Sequence, residues 1–173
     1  MSFGLSAQYV REFPLIPGGG LFFLPVGICV ALGAFLPRLR MTLVWIGMAA
    51  GILFIILGWR LYKGLPPPTA LQIASFAAAI FAETVAFGLV IPRVRAAGER
   101  PLLVCTLAIV GAHFLIMIPA FGVPIAVLAL LCLGNAAAGF VFGGYPLRAM
   151  WFVDGVFKVG VGAVMATSSP LFS

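Results

Sequence analysis

The chain contains very little charge for its length. Charged side chains make up 8% of its 173 residues, against roughly a quarter in ordinary soluble domains. Hydrophobic residues make up 64%, more than a soluble core of this size could bury. Most of this surface must therefore face lipid, and the composition predicts an integral membrane protein.

Several functional classes are disfavoured by what the sequence lacks. It has one histidine and three cysteines, Cys29, Cys105 and Cys132, all inside apolar runs and with no C-x-x-C pair. It has no phosphate-binding G-x-x-x-x-G-K-[ST], no H-E-x-x-H and no G-x-S-x-G. We therefore expect no cofactor and no metal site, and catalysis is the less favoured alternative. The net charge of +6 is scattered singly or in pairs, which does not predict nucleic-acid binding.

Six long apolar runs fill most of the chain. Each has a length suited to crossing a bilayer as a helix, in which the backbone satisfies its own hydrogen bonds. Thr69 and Gln72 have the spacing of a capping box at the start of the third run. Residues 1–19 are expected to lie at the membrane interface, and residues 168–173 form a short tail. The six expected spans are 20–36, 41–59, 69–91, 101–121, 123–145 and 149–167.

One stretch of eleven residues occurs twice. Val30–Arg40 returns 55 positions later as Val85–Arg95 with six identical positions, and in each copy an apolar helix runs into Pro-Arg. A fainter third copy is Tyr145–Arg148. A repeat of two helices keeps successive copies in the same orientation. The sequence thus predicts an all-α integral membrane protein whose six transmembrane helices form three parallel helical-hairpin repeats of about 55 residues.

Basic residues are unequally divided between the two ends of the expected helices. The loops after the first, third and fifth helices carry six arginines, and the opposite side carries three basic residues. By the positive-inside rule the Pro-Arg loops are cytoplasmic and both termini face outward, in the inner (cytoplasmic) membrane of the cell. The six arginines are Arg38, Arg40, Arg93, Arg95, Arg100 and Arg148, and the three opposite residues are Arg11, Arg60 and Lys63.

Five polar side chains lie inside the expected spans, where their cost makes them candidates for function: Glu83, His113, Asn135, Asp154 and Lys158. At about 1.5 Å per residue, Glu83 and Lys158 lie at similar depths, roughly 12 to 13 Å from the Pro-Arg face. Glu83 is therefore either a proton or cation site or a structural partner of Lys158. Asp154 and Lys158 are four residues apart on one helix, so they can also form a local pair.

The remaining intramembrane candidates each allow two interpretations. His113 can make an interhelical hydrogen bond or relay protons with Glu83. Asn135 can bond across a close helix contact or touch a substrate. Two pairs of glycines have the spacing of close helix packing and could also mark an oligomer face. These pairs are Gly47 with Gly51 and Gly139 with Gly143.

Two functional hypotheses follow from these residues. In the first, the protein is a transporter or channel for a small solute or ion, and the five polar side chains line one site near mid-membrane. In the second, it is a non-catalytic accessory or scaffold subunit of a larger membrane complex, and the same side chains hold helices together. Expected partners are the lipid bilayer and either a second copy or a partner membrane subunit. A polar cavity would favour transport, and closed buried pairs would favour the subunit.

Overall fold

The computed structural model of the chain describes residues 5–58 and 63–168, and this part is helical with no strand. Short 3-10 turns lie at Pro37–Leu39 and Arg95–Ala97. Trp59 and Arg60, with residues 1–4 and 169–173 of the expected terminal segments, lie outside the described residues. The helices are α1 (Ala7–Glu12), α2 (Ile16–Gly33), α3 (Arg40–Leu57), α4 (Ala70–Val94), α5 (Glu99–Ile116), α6 (Ile118–Phe121), α7 (Val123–Val141) and α8 (Leu147–Thr167).

Six of these helices are long and apolar enough to cross a membrane: α2, α3, α4, α5, α7 and α8. The chain is therefore a multi-pass membrane protein, as the composition predicts. Their bounds differ from the expected spans by a few residues. The first helix begins at Ile16 rather than at residue 20, and α7 ends at Val141, before two consecutive glycines.

Two further differences from the expected spans occur at prolines. Helix α4 runs through Pro92 to Val94, because a proline in the last turn removes only one backbone N–H. The expected span 101–121 is interrupted at Met117, after which the short α6 begins. Pro119 cannot donate to the carbonyl one turn earlier, so the α5 ladder ends there.

The start of α4 confirms the capping box. Thr69 Oγ1 accepts from the Gln72 backbone N–H at 3.3 Å, and the Thr69 N–H donates to Gln72 Oε1 at 2.9 Å. These bonds satisfy two N–H groups that a helix start leaves unpaired. Gln72 Nε2 also donates to the Glu12 carbonyl at 2.8 Å, so the cap ties α4 to the end of α1.

Helix α1 covers one end of the bundle, which we call the α1 end. The Tyr9 hydroxyl accepts from the Val123 N–H at 2.6 Å, and the Leu5 N–H donates to Ser168 Oγ at 3.0 Å. Val10 is completely buried. Leu5, Tyr9 and Phe13 of this segment pack on the bundle core.

The most extensive helix contact joins α2 to α8 and depends on glycine. Gly20 and Gly27 of α2 face Gly155 and Gly162 of α8. A Cβ atom at Gly20 would lie 2.2 Å from the backbone nitrogen of Ala166, so no larger side chain fits there. Small residues of this kind allow helix backbones to approach closely in lipid.

Helix α3 lies at the edge of the bundle, packed on α2. Gly47 and Gly51 are buried in this contact, where added Cβ atoms would meet Cys29 and Phe22. This glycine pair is therefore used inside the chain. Gly139 is likewise packed against Met150, within α7 and α8.

The six spans follow one another around the bundle in chain order. The hairpins α2–α3, α4–α5 and α7–α8 each pack together, and contacts of α5 with α7 and of α8 with α2 join them. Within residues 5–58 and 63–168, α3 and α4 do not make a comparable contact. The bundle is therefore open between these two helices, which also bury the least of their surface.

Candidate functional site

The interior has two apolar clusters with a polar layer between them. The cluster nearer the α1 end is built around Phe23, Phe114, Met117 and Ile125. Toward the other end of the bundle a second cluster contains Leu103, Leu107, Ala136 and Met150. Their positions along α5, α7 and α8 place a band of polar side chains between the clusters. This polar layer consists of Glu83, His113, Cys132, Asp154 and Lys158.

Asp154 and Lys158 form a closed pair inside α8. Lys158 Nζ lies 2.5 Å from Asp154 Oδ2, and the Cys132 thiol donates to Asp154 Oδ1 at 3.3 Å. The two charged residues are only 3% and 5% exposed. Both oxygens of the Asp154 carboxylate are thus occupied, and this aspartate, one turn earlier in α8, neutralises the charge of the Lys158 ammonium. A buried charge in this setting is tolerated because its partner is adjacent.

Glu83 and His113 face each other between α4 and α5. Glu83 Oε1 lies 3.4 Å from His113 Nδ1, and the side chains are 25% and 11% exposed. Nδ1 is buried and its contact with the carboxylate does not meet hydrogen-bond geometry. The imidazole packs on Phe114, with ring centroids 4.2 Å apart.

A groove opens above this pair on the outer surface of the bundle. Its volume is about 310 Å³, at the small end of ordinary ligand sites. Ile116 at its rim is 40% exposed, so the groove faces the surroundings of the bundle rather than its centre. We call it the α4–α5 groove, and its lining is Ala82, Glu83, Ala86, Ala108, Ile109, Ala112, His113 and Ile116.

Electrostatic interaction links the two halves of the polar layer. Lys158 acts on both Glu83 and His113, although its direct ion pair is with Asp154. Since Asp154 neutralises Lys158, the layer carries one uncompensated negative charge when Glu83 is ionised. It is neutral when Glu83 is protonated or has bound one positive charge. No group of three potential metal ligands occurs in the described part of the chain.

Asn135 lies outside this arrangement. Its Nδ2 donates to the Met150 carbonyl at 2.9 Å, and its Oδ1 accepts from the Tyr145 hydroxyl at 3.1 Å. Burial raises the pKa of the Tyr145 phenol, so this donor keeps its proton at neutral pH. Asn135 therefore fastens α7 to the start of α8 and does not line the groove.

A family match covers almost the whole chain. Residues 7–171 match a sequence family described as a family of unknown function, DUF6609. The chain belongs to this family. No curated protein and no solved structure matches the sequence. The family assignment leaves the activity open, so any function must be argued from the site itself.

Sequence reasoning missed two structural arginines at the end opposite α1, which we call the arginine end. Arg40 forms an ion pair with Glu99, and its Nε donates to the Gly33 carbonyl at 3.0 Å. Arg100 donates to the Gly139 carbonyl in the last turn of α7 at 3.2 Å and to the Tyr145 carbonyl beyond that turn at 2.7 Å. Their position in loops suggested only a topology signal, and nothing in the spacing revealed these partners.

Cys132 was also missed as a member of the polar layer. Its place in an apolar run predicts only a small core residue, and it is fully buried as that role requires. Its position one turn from Asn135 places it against Asp154 of the next helix. Only the rotation of α7 against α8 reveals this contact, and the sequence of an apolar helix does not specify that rotation.

Proposed function

We propose that this protein is a proton-coupled membrane transporter for a small solute, with its working site at Glu83 and His113. The observation that carries the proposal is the carboxyl facing an imidazole 3.4 Å away, at the floor of a groove at mid-membrane depth. Carboxyl and imidazole groups are the side chains that most readily exchange protons near neutral pH. Their partial exposure allows a solute to reach them.

The charge arrangement supports Glu83 as the mobile site. Asp154 and Lys158 already compensate each other, and Cys132 completes the bonding of Asp154. Glu83 can therefore gain or lose a proton without leaving the buried Lys158 ammonium unpaired. A membrane interior strongly favours neutral states. Uptake of a proton and uptake of a solute at Glu83 are therefore expected to be linked.

The apolar clusters favour a carrier over an open channel. Both ends of the polar layer are filled by large apolar side chains, including Phe114 on one side and Leu107 on the other. A continuous ion pathway needs polar groups or a wide lumen along its length. A carrier instead exposes its site to one phase at a time, which a groove between two helices can do.

Transport can be measured in liposomes that contain a trapped pH indicator. Small organic solutes in cationic, anionic and neutral classes are added to vesicles holding the wild-type protein, Glu83→Gln or Glu12→Gln. Glu12 is an exposed glutamate of α1, so its variant makes the same chemical change away from the groove. At least one class should move protons with the wild type and Glu12→Gln but not with Glu83→Gln. The proposal would be overturned if vesicles with the wild-type protein showed no more proton movement than protein-free vesicles for every class of solute.

For topology we propose that the arginine end is cytoplasmic, that both termini face outward, and that the protein resides in the inner membrane. The asymmetry of six basic residues against three supports this orientation. Single cysteines at Arg95 and Pro67, in a background lacking the native cysteines, report it. An impermeant reagent should label the cysteine at Pro67 from outside and leave the one at Arg95 unlabelled. The reverse pattern would invert the topology.

For the architecture we propose three parallel helical-hairpin repeats of about 55 residues. The recurrence of Val30–Arg40 as Val85–Arg95 supports this arrangement, as does the packing of the two helices of each hairpin against each other. The third hairpin, with its short match at Tyr145–Arg148, has diverged furthest. An engineered chain carrying the second hairpin's Val85–Arg95 in place of Val30–Arg40 would test equivalence. It should insert and fold if the copies are structurally interchangeable.

A second candidate function is that of an accessory subunit. The open side between α3 and α4, with most of both helices exposed, favours it because a partner helix could complete the bundle there. Native mass spectrometry after extraction in mild detergent distinguishes the alternatives. A single monomeric species would exclude a stable partner, whereas a stoichiometric second chain or copy would support the subunit.

A further inference from the structure

Resting on the proposed function, we propose that the α4–α5 groove takes up monovalent amphipathic organic cations, such as protonated amines or quaternary ammonium ions, directly from the lipid phase. Each cation would displace the proton on Glu83. Three properties of the groove support this proposal: its charge, its apolar walls and the direction in which it opens.

Charge selects a cation. The titratable group that faces Glu83 is His113 of α5. Lys158 of α8 also interacts electrostatically with Glu83, but its ion pair is with Asp154. Because Asp154 and Lys158 cancel, ionised Glu83 leaves the site with a single negative charge. One bound cation restores neutrality, as one proton does. Proton and cation therefore compete for one carboxylate, and one proton leaves for each cation bound. An anion would meet the carboxylate directly and be repelled.

The walls select an apolar body around that charge. Apart from Glu83 and His113, the lining consists of four alanines and two isoleucines. Small side chains leave room beside the carboxylate, and a volume of about 310 Å³ limits the body to one compact group. Such walls cannot replace the hydration shell of an inorganic ion. An organic cation brings its own apolar cover for the charge.

The groove opens sideways, between two membrane-spanning helices. Along the bundle axis, Phe114 and Leu107 belong to the clusters that fill the interior on either side of the polar layer. In the described residues the site is therefore reached from the surface that contacts lipid. A ligand must first dissolve in the bilayer, as amphipathic cations do and small hydrated solutes do not.

Three probes of nearly identical shape separate charge from size. They are benzyltrimethylammonium, its neutral isostere neopentylbenzene and the anion phenylmethanesulfonate. Binding to purified protein in lipid nanodiscs is measured by equilibrium dialysis, and proton release is followed with an indicator in weak buffer. The cation should bind saturably and release one proton, whereas the other two should neither bind nor compete. Equal or stronger binding of the neutral or anionic probe would overturn the proposal.

Two matched variants locate the site. Glu83→Gln should weaken cation binding by roughly ten- to hundredfold, the loss expected for a charge-assisted contact. Ala112→Leu should block the groove while keeping Glu83, and Ala77→Leu on the exposed face of α4 serves as its control. If Glu83→Gln does not fold, the two alanine variants still show whether the cation binds in the α4–α5 groove. Cation binding that Ala112→Leu leaves unchanged would overturn lateral access through this groove.

The outcome is separable from that of the proposed function. Glu83-dependent transport of an anionic or neutral solute would support the transporter function and overturn the proposal of a cation site. Saturable cation binding with proton release, but without movement across liposomes, would keep the cation site and overturn transport.

Discussion

Gly155 of α8 lies against Gly27 of α2 with their backbones in contact: a Cβ atom at Gly155 would stand 2.6 Å from the Gly27 carbonyl oxygen. The same atom would lie 2.4 Å from the backbone nitrogen of Ala31. Neither neighbour is a flexible side-chain end, so the helices themselves must separate to admit a methyl group. This contact holds the first and last spans together and fixes the helix that carries Asp154 and Lys158.

Gly155→Ala should therefore destabilise the protein by about 1–3 kcal/mol, the usual cost of overpacking. Gly160→Ala on the same helix is the matched control, because no described residue lies within 4 Å of its added methyl group. Alanine is also the better helix former, so the control should be neutral or slightly stabilising. Thermal unfolding in detergent measures both variants. A Gly155→Ala protein that melts with the wild type would contradict the close α2–α8 packing.

Arg100→Gln should weaken the connection of α7 to α8. The arginine donates to the Gly139 carbonyl in the last turn of α7 and to the Tyr145 carbonyl after it. Its loss should cost about 1–3 kcal/mol, since carbonyls there lose a charged donor. Arg95→Gln removes the same charge from an exposed position and should cost little. Equal melting temperatures of the two variants would mean that Arg100 affects stability only through its charge.

Composition and length predicted the membrane class and the six spans because a bilayer imposes both. Depth could also be predicted from the sequence, because residues in a helix advance at a fixed rise, and Glu83 and Lys158 were placed at similar depths. The rotation of each helix about its own axis could not be predicted from the sequence. In a soluble helix the polar face shows which side is outside, but lipid makes both sides of these helices apolar.

Because helix rotation could not be predicted, the sequence did not identify the ion-pair partner of Lys158. Sequence spacing allowed either Glu83 or Asp154, and only the packing of α4, α5 and α8 selects Asp154. The same ambiguity applies to α1. Its apolar side chains are equally suited to lipid and to the bundle end that they cover.

Asp154→Asn should be strongly destabilising. It would leave the Lys158 ammonium buried without its adjacent anion, a change that costs about 3–5 kcal/mol in buried pairs. The double variant Asp154→Asn with Lys158→Met removes both charges and should regain most of that loss. Thermal unfolding and the yield of monodisperse protein report the two states. A double variant no more stable than the single one would show that the ion pair is not the source of the effect.

Glu83→Gln tests the candidate site by keeping shape while removing charge and proton exchange. Because Lys158 is already paired with Asp154, the variant should change stability by less than about 1 kcal/mol, the size of an ordinary hydrogen-bond effect. Its proton-coupled flux in liposomes should nevertheless disappear. Melting as low as that of Asp154→Asn would identify Glu83 as a second structural partner of Lys158. Full flux in a stable Gln variant would remove Glu83 from the transport site, since glutamine can neither bind nor release the proton.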